Sequence, residues 1–235
     1  MFVAGHHESH AASALYGSGW EDCIVLTADG WGEDGSASLW KSQGSDLELI
    51  QRTAPFDSLG YFYGSVTKSL GFIPHRHEGK VLGLAAYHQG INRVYPKIKG
   101  MVAYDHSRQC FVGCMENGLY QPRYDNPRLL ELLRPFSREE VAAATQCRLE
   151  EVVCEMVAGL QWPKNRIVLA GGIFANVKLN QRIRELENVE KVYVFPNMGD
   201  GGLAAGAACL NIVTGKPGAI QKKPPPCFWE TTSIR

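Results

Sequence analysis

RIVLAGGIFANVKLNQRIRELENVEKVYVFPNMGDGG, residues 166–202, is the stretch that decides the fold. A β-branched run ends in Gly-Gly at 171–172, and a segment follows with apolar residues at 174, 177, 179, 183 and 186, which is helical spacing. A second β-branched run begins at 191 and ends in GDGG at 199–202. Strand, Gly-Gly, helix, strand is a βαβ unit. Each strand is expected to be buried and to deliver a polar loop at its C-terminal end, where open α/β sheets bind their ligands.

Working outward, CIVLTADG (23–30) has the same form: a β-branched run ending in an acidic turn. Ser137 and Glu140 form a capping box that opens a helix running to about Leu160, with Val141, Ala144, Val152, Met156 and Leu160 facing inward and WPKN (162–165) marking its end. LAAGAACLNIV (203–213) is a small-residue helix suited to close packing on another backbone, and AASALY (11–16) suits a short helix. Residues 88–136 have weak periodicity and read as an insertion of loops and short elements. The proline-rich, aperiodic tail, 214–235, reads as extended or disordered.

The chain has 235 residues, enough for one large domain or two small ones. Lys plus Arg equals Asp plus Glu at 24 each and no basic block stands out, so nothing advertises nucleic acid or an anionic membrane as a partner. No apolar run reaches the roughly 18 residues of a spanning helix. MFVAGHHESH lacks the basic and apolar regions of a signal peptide, so the expected location is the cytoplasm. Seven cysteines, with no CxxC pair, read as reduced and mostly buried thiols. Cys110 and Cys114 offer half a metal site without a second half, against the plainer reading of two ordinary thiols.

GHHESHAAS (5–13) places three histidines and a glutamate in five positions. On a helix, His6 and His10 lie at i and i+4 on one face, one turn apart, which lets two imidazoles bind one cation, while His7 points elsewhere. Glu8 is misplaced for the zinc-protease HExxH motif. Metal ligation and ordinary solvent-facing or core histidines remain open on spacing alone. DGWGEDGS (29–36) suits a turn whose N–H groups approach phosphate oxygens, AGGIFAN (170–176) places Asn176 one turn into a helix whose N-terminus can meet an anion, and Asp200 in GDGG is a carboxylate ligand on a turn. No GxxxxGK[ST] motif occurs, so a P-loop is excluded. In HRHEGKVLGLAAY (75–87), Lys80 can meet a phosphate or carboxylate with Glu78 orienting it, or the two form a surface ion pair, and Gly79 and Gly83 favour close backbone approach.

HHESHAASALY, LTADGWGEDGSASLW, LGYFYGSVTKSLGFIPHRHEGKVLGLAAY, LAGGIFANVKLNQRIRE and VYVFPNMGDGGLAAGAA, in that order, resemble the O-carbamoyltransferases of the NodU/CmcH type across most of residues 3–210. The resemblance implies an actin-like ATPase fold of the sugar-kinase and heat-shock class, ribonuclease H-like in topology. It implies an N-terminal lobe that is incomplete here: residues 1–87 as its remainder, 88–136 as the insertion and 137–213 as the second lobe. It further implies carbamoyl transfer from carbamoyl adenylate, made from carbamoyl phosphate and ATP, to a hydroxyl of a small-molecule acceptor, beside a divalent metal, iron or zinc.

By motif, the resemblance makes His6, His10 and Asp200 the metal ligands and Gly171, Gly172 and Asn176 the nucleotide loop. Asp29, Gly30 and Gly32 then face the phosphates or the acyl group, and Lys80 joins His6 and His10 in the catalytic set. The family's early phosphate-binding turn and its C-terminal YrdC-like domain are not found in the sequence, so the resemblance leaves open a fragment, a split enzyme with a separate chain supplying them, or a degenerate remnant. A non-catalytic nucleotide-binding module is the alternative, and a transferase acting on tRNA is disfavoured by the neutral charge.

Overall fold

The computed structural model describes residues 3–44, 46–161 and 165–215, which leaves most of the tail read as extended, and the WPK of the helix-end signal, outside the described residues. In chain order the elements are α1 (His6–Ser18), β1 (Cys23–Ala28), β2 (Ala37–Gln43), β3 (Asp46–Thr53), α2 (Leu59–Ser69), α3 (Glu78–Ala85), α4 (Tyr95–Lys99), β4 (Val102–Asp105), β5 (Cys110–Gly113), α5 (Pro127–Leu133), α6 (Arg138–Ala158), β6 (Asn165–Ala170), α7 (Val177–Arg184), β7 (Val189–Val194) and α8 (Leu203–Gly215).

Five strands form one sheet in the order β3-β2-β1-β6-β7, with β1 antiparallel to β2, β2 antiparallel to β3, and β1, β6 and β7 mutually parallel. Strands from both sides of the 88–136 segment thus share a sheet, with β1 and β6 paired from Ile24↔Ile167 to Thr27↔Ala170. That segment holds the β4–β5 hairpin and the two short helices α4 and α5.

All of β1 is buried, as expected of a central strand covered on both faces. Its side chains alternate between two cores: Ile24 and Leu26 join Phe62 and Val66 of α2 and Val152 and Val153 of α6, whereas Cys23 and Val25 join Ala11, Ala14 and Leu15 of α1. The first core is built from large side chains. The second is richer in alanines, Ala11, Ala12 and Ala14 on α1 and Ala170 on β6, which lets α1 lie close to the sheet and α8 close to α1. Gly206 of α8 sits against the Ser9 carbonyl so tightly that any Cβ would fall on that oxygen.

Helix α6 begins as expected: Ser137 Oγ accepts from the Glu140 N–H, and Glu140 accepts from the Ser137 N–H. Val141, Ala144, Val152 and Met156 are buried. The helix stops at Ala158, so Leu160 lies beyond it and is only half-buried. In α7 the apolar stripe is narrower than its spacing predicts, since Leu179 and Ile183 are buried but Val177 is 70% exposed at the first helical position. Asn176 is not one turn into that helix. It is the N-cap, its Oδ1 accepting from the Leu179 N–H at 3.0 Å. The six described cysteines are free thiols. No helix among the described residues is long and apolar enough to cross a membrane.

A candidate metal centre at the carboxyl end of the sheet

Asp29 follows directly on β1, and Asp200 opens a 3-10 turn that follows β7 and leads into α8, so both carboxylates emerge at the C-terminal end of the parallel strands. Helix α1 crosses above that end and points His6 and His10 at them. His10 Nε2 lies 3.2 Å from Asp29 Oδ2 and 3.6 Å from Asp200 Oδ1; His6 Nε2 lies 3.7 and 3.8 Å from the same two oxygens. One donor atom from each of the four residues falls within 4.8 Å of all the others.

The position of α1 is fixed by the third histidine. His7 Nε2 is 3.0 Å from the Gly35 carbonyl and Nδ1 is 2.8 Å from Thr27 Oγ1. A carbonyl only accepts, so Nε2 carries the proton and Nδ1 accepts from the threonine hydroxyl. Burial chiefly pushes His7 down to about 4, so it is a neutral tie between the helix, β1 and the 29–36 loop. The same loop supplies Glu33, whose Oε1 accepts from the His6 N–H at 2.7 Å, a negative charge at the helix N-terminus. Glu8 reaches back to the Gly5 N–H at 3.4 Å and takes no part in the cluster.

Asp29 is held from its own side. The Gly30 N–H donates to Oδ1 at 2.7 Å and the Gly172 N–H to Oδ2 at 3.1 Å. Burial alone raises its carboxyl, but His10, His6 and these two N–H groups outweigh it and hold the group far below the usual carboxylate range. His6 is raised, first by its interaction with Asp29 against the opposing effect of burial, with Asp200 and Glu33 adding to it. Gly171 makes the approach of the loop possible: its φ is +99°, and a Cβ there would strike the Ala28 carbonyl.

The donor set fits a divalent cation. His10 is fully buried, yet neither of its ring nitrogens has a hydrogen-bond partner, and the buried His6 Nε2 has none either. Polar atoms so placed are costly unless something satisfies them. Two imidazoles and two carboxylates are a donor set for a divalent transition metal, and around a six-coordinate ion they would leave two positions open.

A cleft of about 460 Å³ opens beside the cluster, lined by Asp29, Gly30, Gly172, Asn176 and Asp200 on one side and by Tyr63, His75 and Tyr124 on the other. The structure therefore brings together His6, His10, Asp29, Gly30, Gly172, Asn176 and Asp200. Gly32 lies behind them, packed on His7 and Gly35. Lys80 is not brought to the cluster: it is exposed on α3, its Nζ 3.2 Å from His77 Nε2, and Glu78 accepts from the His75 N–H instead of pairing with it. Gly79 and Gly83 face open space rather than a close neighbour. The resemblance faced Asp29 toward the phosphates or the acyl group; the structure sets it beside two imidazoles.

The carbamoyltransferase N-terminus family model matches residues 1–209. An uncharacterized protein of Methanocaldococcus jannaschii is 32% identical over 226 residues, covering 88% of this chain and 37% of that protein. The nodulation protein NolO of Bradyrhizobium diazoefficiens is 29% identical over 237 aligned positions, covering 95% of this chain and 41% of its own. The chain thus spans well under half the length of these relatives. Among solved structures, component A of the (R)-2-hydroxyglutaryl-CoA dehydratase of Acidaminococcus fermentans superposes with a TM-score of 0.50 at 14% identity, covering 86% of this chain and 66% of that one. The fold is that of the actin-like ATPases, and the chain belongs to the carbamoyltransferase N-terminus family.

Proposed function

We propose that this chain is the transfer module of a carbamoyltransferase, in which a carbamoyl group passes from carbamoyl adenylate to a hydroxyl of a small-molecule acceptor. The observation that carries the reading is the convergence of His6, His10, Asp29 and Asp200, with buried and unpartnered imidazole nitrogens, on the wall of a cleft in a chain of this family. A divalent metal held by these four residues would supply Lewis-acid stabilisation of charge on the carbamoyl or phosphate oxygens. Within the cleft, Asn176 and the Gly171–Gly172 turn border the space for the nucleotide.

The acceptor oxygen attacks the carbamoyl carbon, a new C–O bond forms, and the bond from that carbon to the phosphate oxygen of AMP breaks. AMP leaves with the electron pair. The acceptor's proton goes to a carboxylate at the cleft, where Glu78 and the 73% exposed Asp200 are both placed to take it. Asp29 accepts from two backbone N–H groups and lies within 3.7 Å of two imidazole nitrogens, which suits it to holding charge in place.

The test is metal analysis of untagged protein with calorimetric titration of AMP and of a sulfamoyl-linked, nonhydrolysable analogue of carbamoyl adenylate. About one equivalent of iron or zinc is expected, lost in His10→Ala, with the analogue binding more tightly than AMP only in the metal-loaded protein. Absence of metal, or equal affinity for analogue and AMP, overturns the reading.

A further inference from the structure

Five rings run in contact from the cleft to the surface. His75 stands edge-on to Tyr124 with centroids 4.8 Å apart, Tyr124 is 5.1 Å from Tyr61, Tyr61 is 6.3 Å from Trp31, and Trp31 is 5.4 Å from Phe56. Tyr124 and Tyr61, in the middle of the series, are half-buried, while His75 at the cleft end is exposed and Trp31 and Phe56 at the other are 46% and 54% exposed. Single exposed aromatics are ordinary, but a contiguous wall of them leading out of a polar cleft is not.

The wall is anchored at each step. Gly64 of α2 leaves the space that the Tyr124 ring fills. Tyr120 donates to the Phe56 carbonyl at 2.6 Å, and Ser58 caps α2 at Tyr61 while its hydroxyl donates to the Gly30 carbonyl at 2.7 Å. Trp31 is two residues beyond Asp29, so its backbone lies within about 7 Å of that residue's. His75 is held at a φ of +65°, a conformation a non-glycine residue keeps only when its surroundings fix it, and it lines the same cleft as Asp29 and Asp200.

We infer that Trp31, Phe56 and Tyr61 form the acceptor subsite, a platform for a cyclic hydroxyl compound that lays an apolar C–H face on the rings while one hydroxyl reaches into the cleft. The inference rests on the transferase reading, since it is the acceptor's hydroxyl that must approach the carbamoyl carbon. Continuity favours a small ligand: the inner two rings line the cleft itself, so an occupant of the wall is already beside the carboxylates. Aromatic faces select shape and apolar surface, whereas hydroxyls would be recognised by the polar groups further in.

Saturation-transfer NMR on the full chain tests it, with methyl β-D-glucopyranoside as the cyclic probe and sorbitol as an open-chain polyol. Irradiating aromatic protons is expected to saturate the axial C–H protons of the glucoside and not those of sorbitol. Trp31→Ala should weaken the signal on the order of fivefold and Trp31→Phe should retain most of it. Equal saturation of both probes, or an unchanged signal in Trp31→Ala, overturns the proposal. So does a concentration-dependent dimer of the wild type that Trp31→Ala dissolves, because the wall would then belong to a second copy. Metal and nucleotide binding in the same samples separate the two readings: their presence without glucoside binding removes the subsite and leaves the transferase, and their absence removes the transferase itself.

Discussion

Helices α1 and α3 each open in a short polar motif of histidine, glutamate and glycine, and the fold treats them in opposite ways. Ten of the thirteen residues of α1 are buried, whereas Val81 alone is buried among the eight of α3. Alanines at 11, 12 and 14 let α1 be pressed between the sheet and α8, and that pressure aims two imidazoles at two carboxylates. On α3 the same residue types remain at the surface, where Lys80 meets an imidazole and lies 5.7 Å from the Phe72 ring. What separates a binding constellation from a polar helix start is the packing that forces donor atoms together without hydrogen-bond partners.

The harshest way to break the contrast is to lift α1 from its seat. Gly206→Val places a side chain on the Ser9 carbonyl, and the helices must separate. We expect a loss of about 3 kcal/mol in urea unfolding, with metal binding falling in parallel; Ala205→Val, on the exposed side of α8, should change stability by less than about 0.5 kcal/mol. Equal effects of the two would mean that the close approach is not what positions the histidines.

Next comes the cluster itself. His10→Ala and Asp29→Asn should each weaken binding of iron or zinc by more than about 100-fold, since each removes a direct ligand where loss of an outer partner already costs 10–100-fold. Asp29→Asn is the sharper probe. It keeps the shape, and its remaining oxygen still accepts from one glycine N–H, so unchanged affinity would remove Asp29 from the ligand set and leave it a purely structural turn residue.

Much of this was legible in the sequence, for reasons that are local. The βαβ unit of 166–202 shows its period and its glycines, Ser137 and Glu140 are three apart, and His6 and His10 are one helical turn apart. Helix spacing needs no partner to be read. The antiparallel strands β2 and β3 were not read at all: ASLWKSQ and DLELIQRT carry too little alternation to announce which face is buried, and β3 at the sheet edge is mostly exposed or half-buried. Nor does local pattern reveal that β1 and β6, some 140 residues apart, are neighbours. That pairing turns Asp29 from a loop acid into a member of the cluster, and the N–H groups of Gly30 and Gly172, read as open to phosphate, hold its carboxylate instead.

A smaller effect tests the nucleotide side. Asn176 caps α7 and also donates to Gln146 Oε1 at 2.8 Å, while Gln146 Nε2 donates back to Asn176 Oδ1 at 3.1 Å. Asn176→Ala should lower stability by about 1 kcal/mol through the cap. A loss of AMP affinity well beyond that seen for Gln146→Leu would show that the asparagine meets the nucleotide directly, and equal losses would confine it to holding the loop.

Outside the cleft lining, Glu140 gives a pH control. Its bidentate pair with Arg93, at 2.7 and 3.0 Å, and the Ser137 N–H hold its carboxyl at about 2, below the ordinary 4.5. A depressed carboxyl contributes stability that is complete above the ordinary value and is lost as pH falls from about 4.5 toward 2. The stability difference between wild type and Glu140→Gln should therefore be widest at neutral pH and shrink through that window, with metal binding at neutral pH unaltered. A constant difference from pH 7 to 3 would mean that the pair contributes through shape and not charge.

Lys80→Ala should do least. The side chain is exposed, its ring contact with Phe72 is long, and its one polar neighbour, His77, is itself tied to the Ile73 N–H at 3.2 Å whether or not the lysine is present. Stability should move by less than about 0.5 kcal/mol, and metal content not at all. Affinity for the carbamoyl adenylate analogue is the informative measurement, because α3 begins at Glu78, which lines the cleft, and one turn of reorientation would swing the lysine toward a bound phosphate. If the analogue binds as well to Lys80→Ala as to wild type, the resemblance that placed Lys80 in the catalytic set does not hold at that position; if it binds tenfold more weakly while AMP is unaffected, α3 moves when the carbamoyl group is present, and the contrast with the fixed α1 becomes one between a rigid ligand-bearing helix and a closing one.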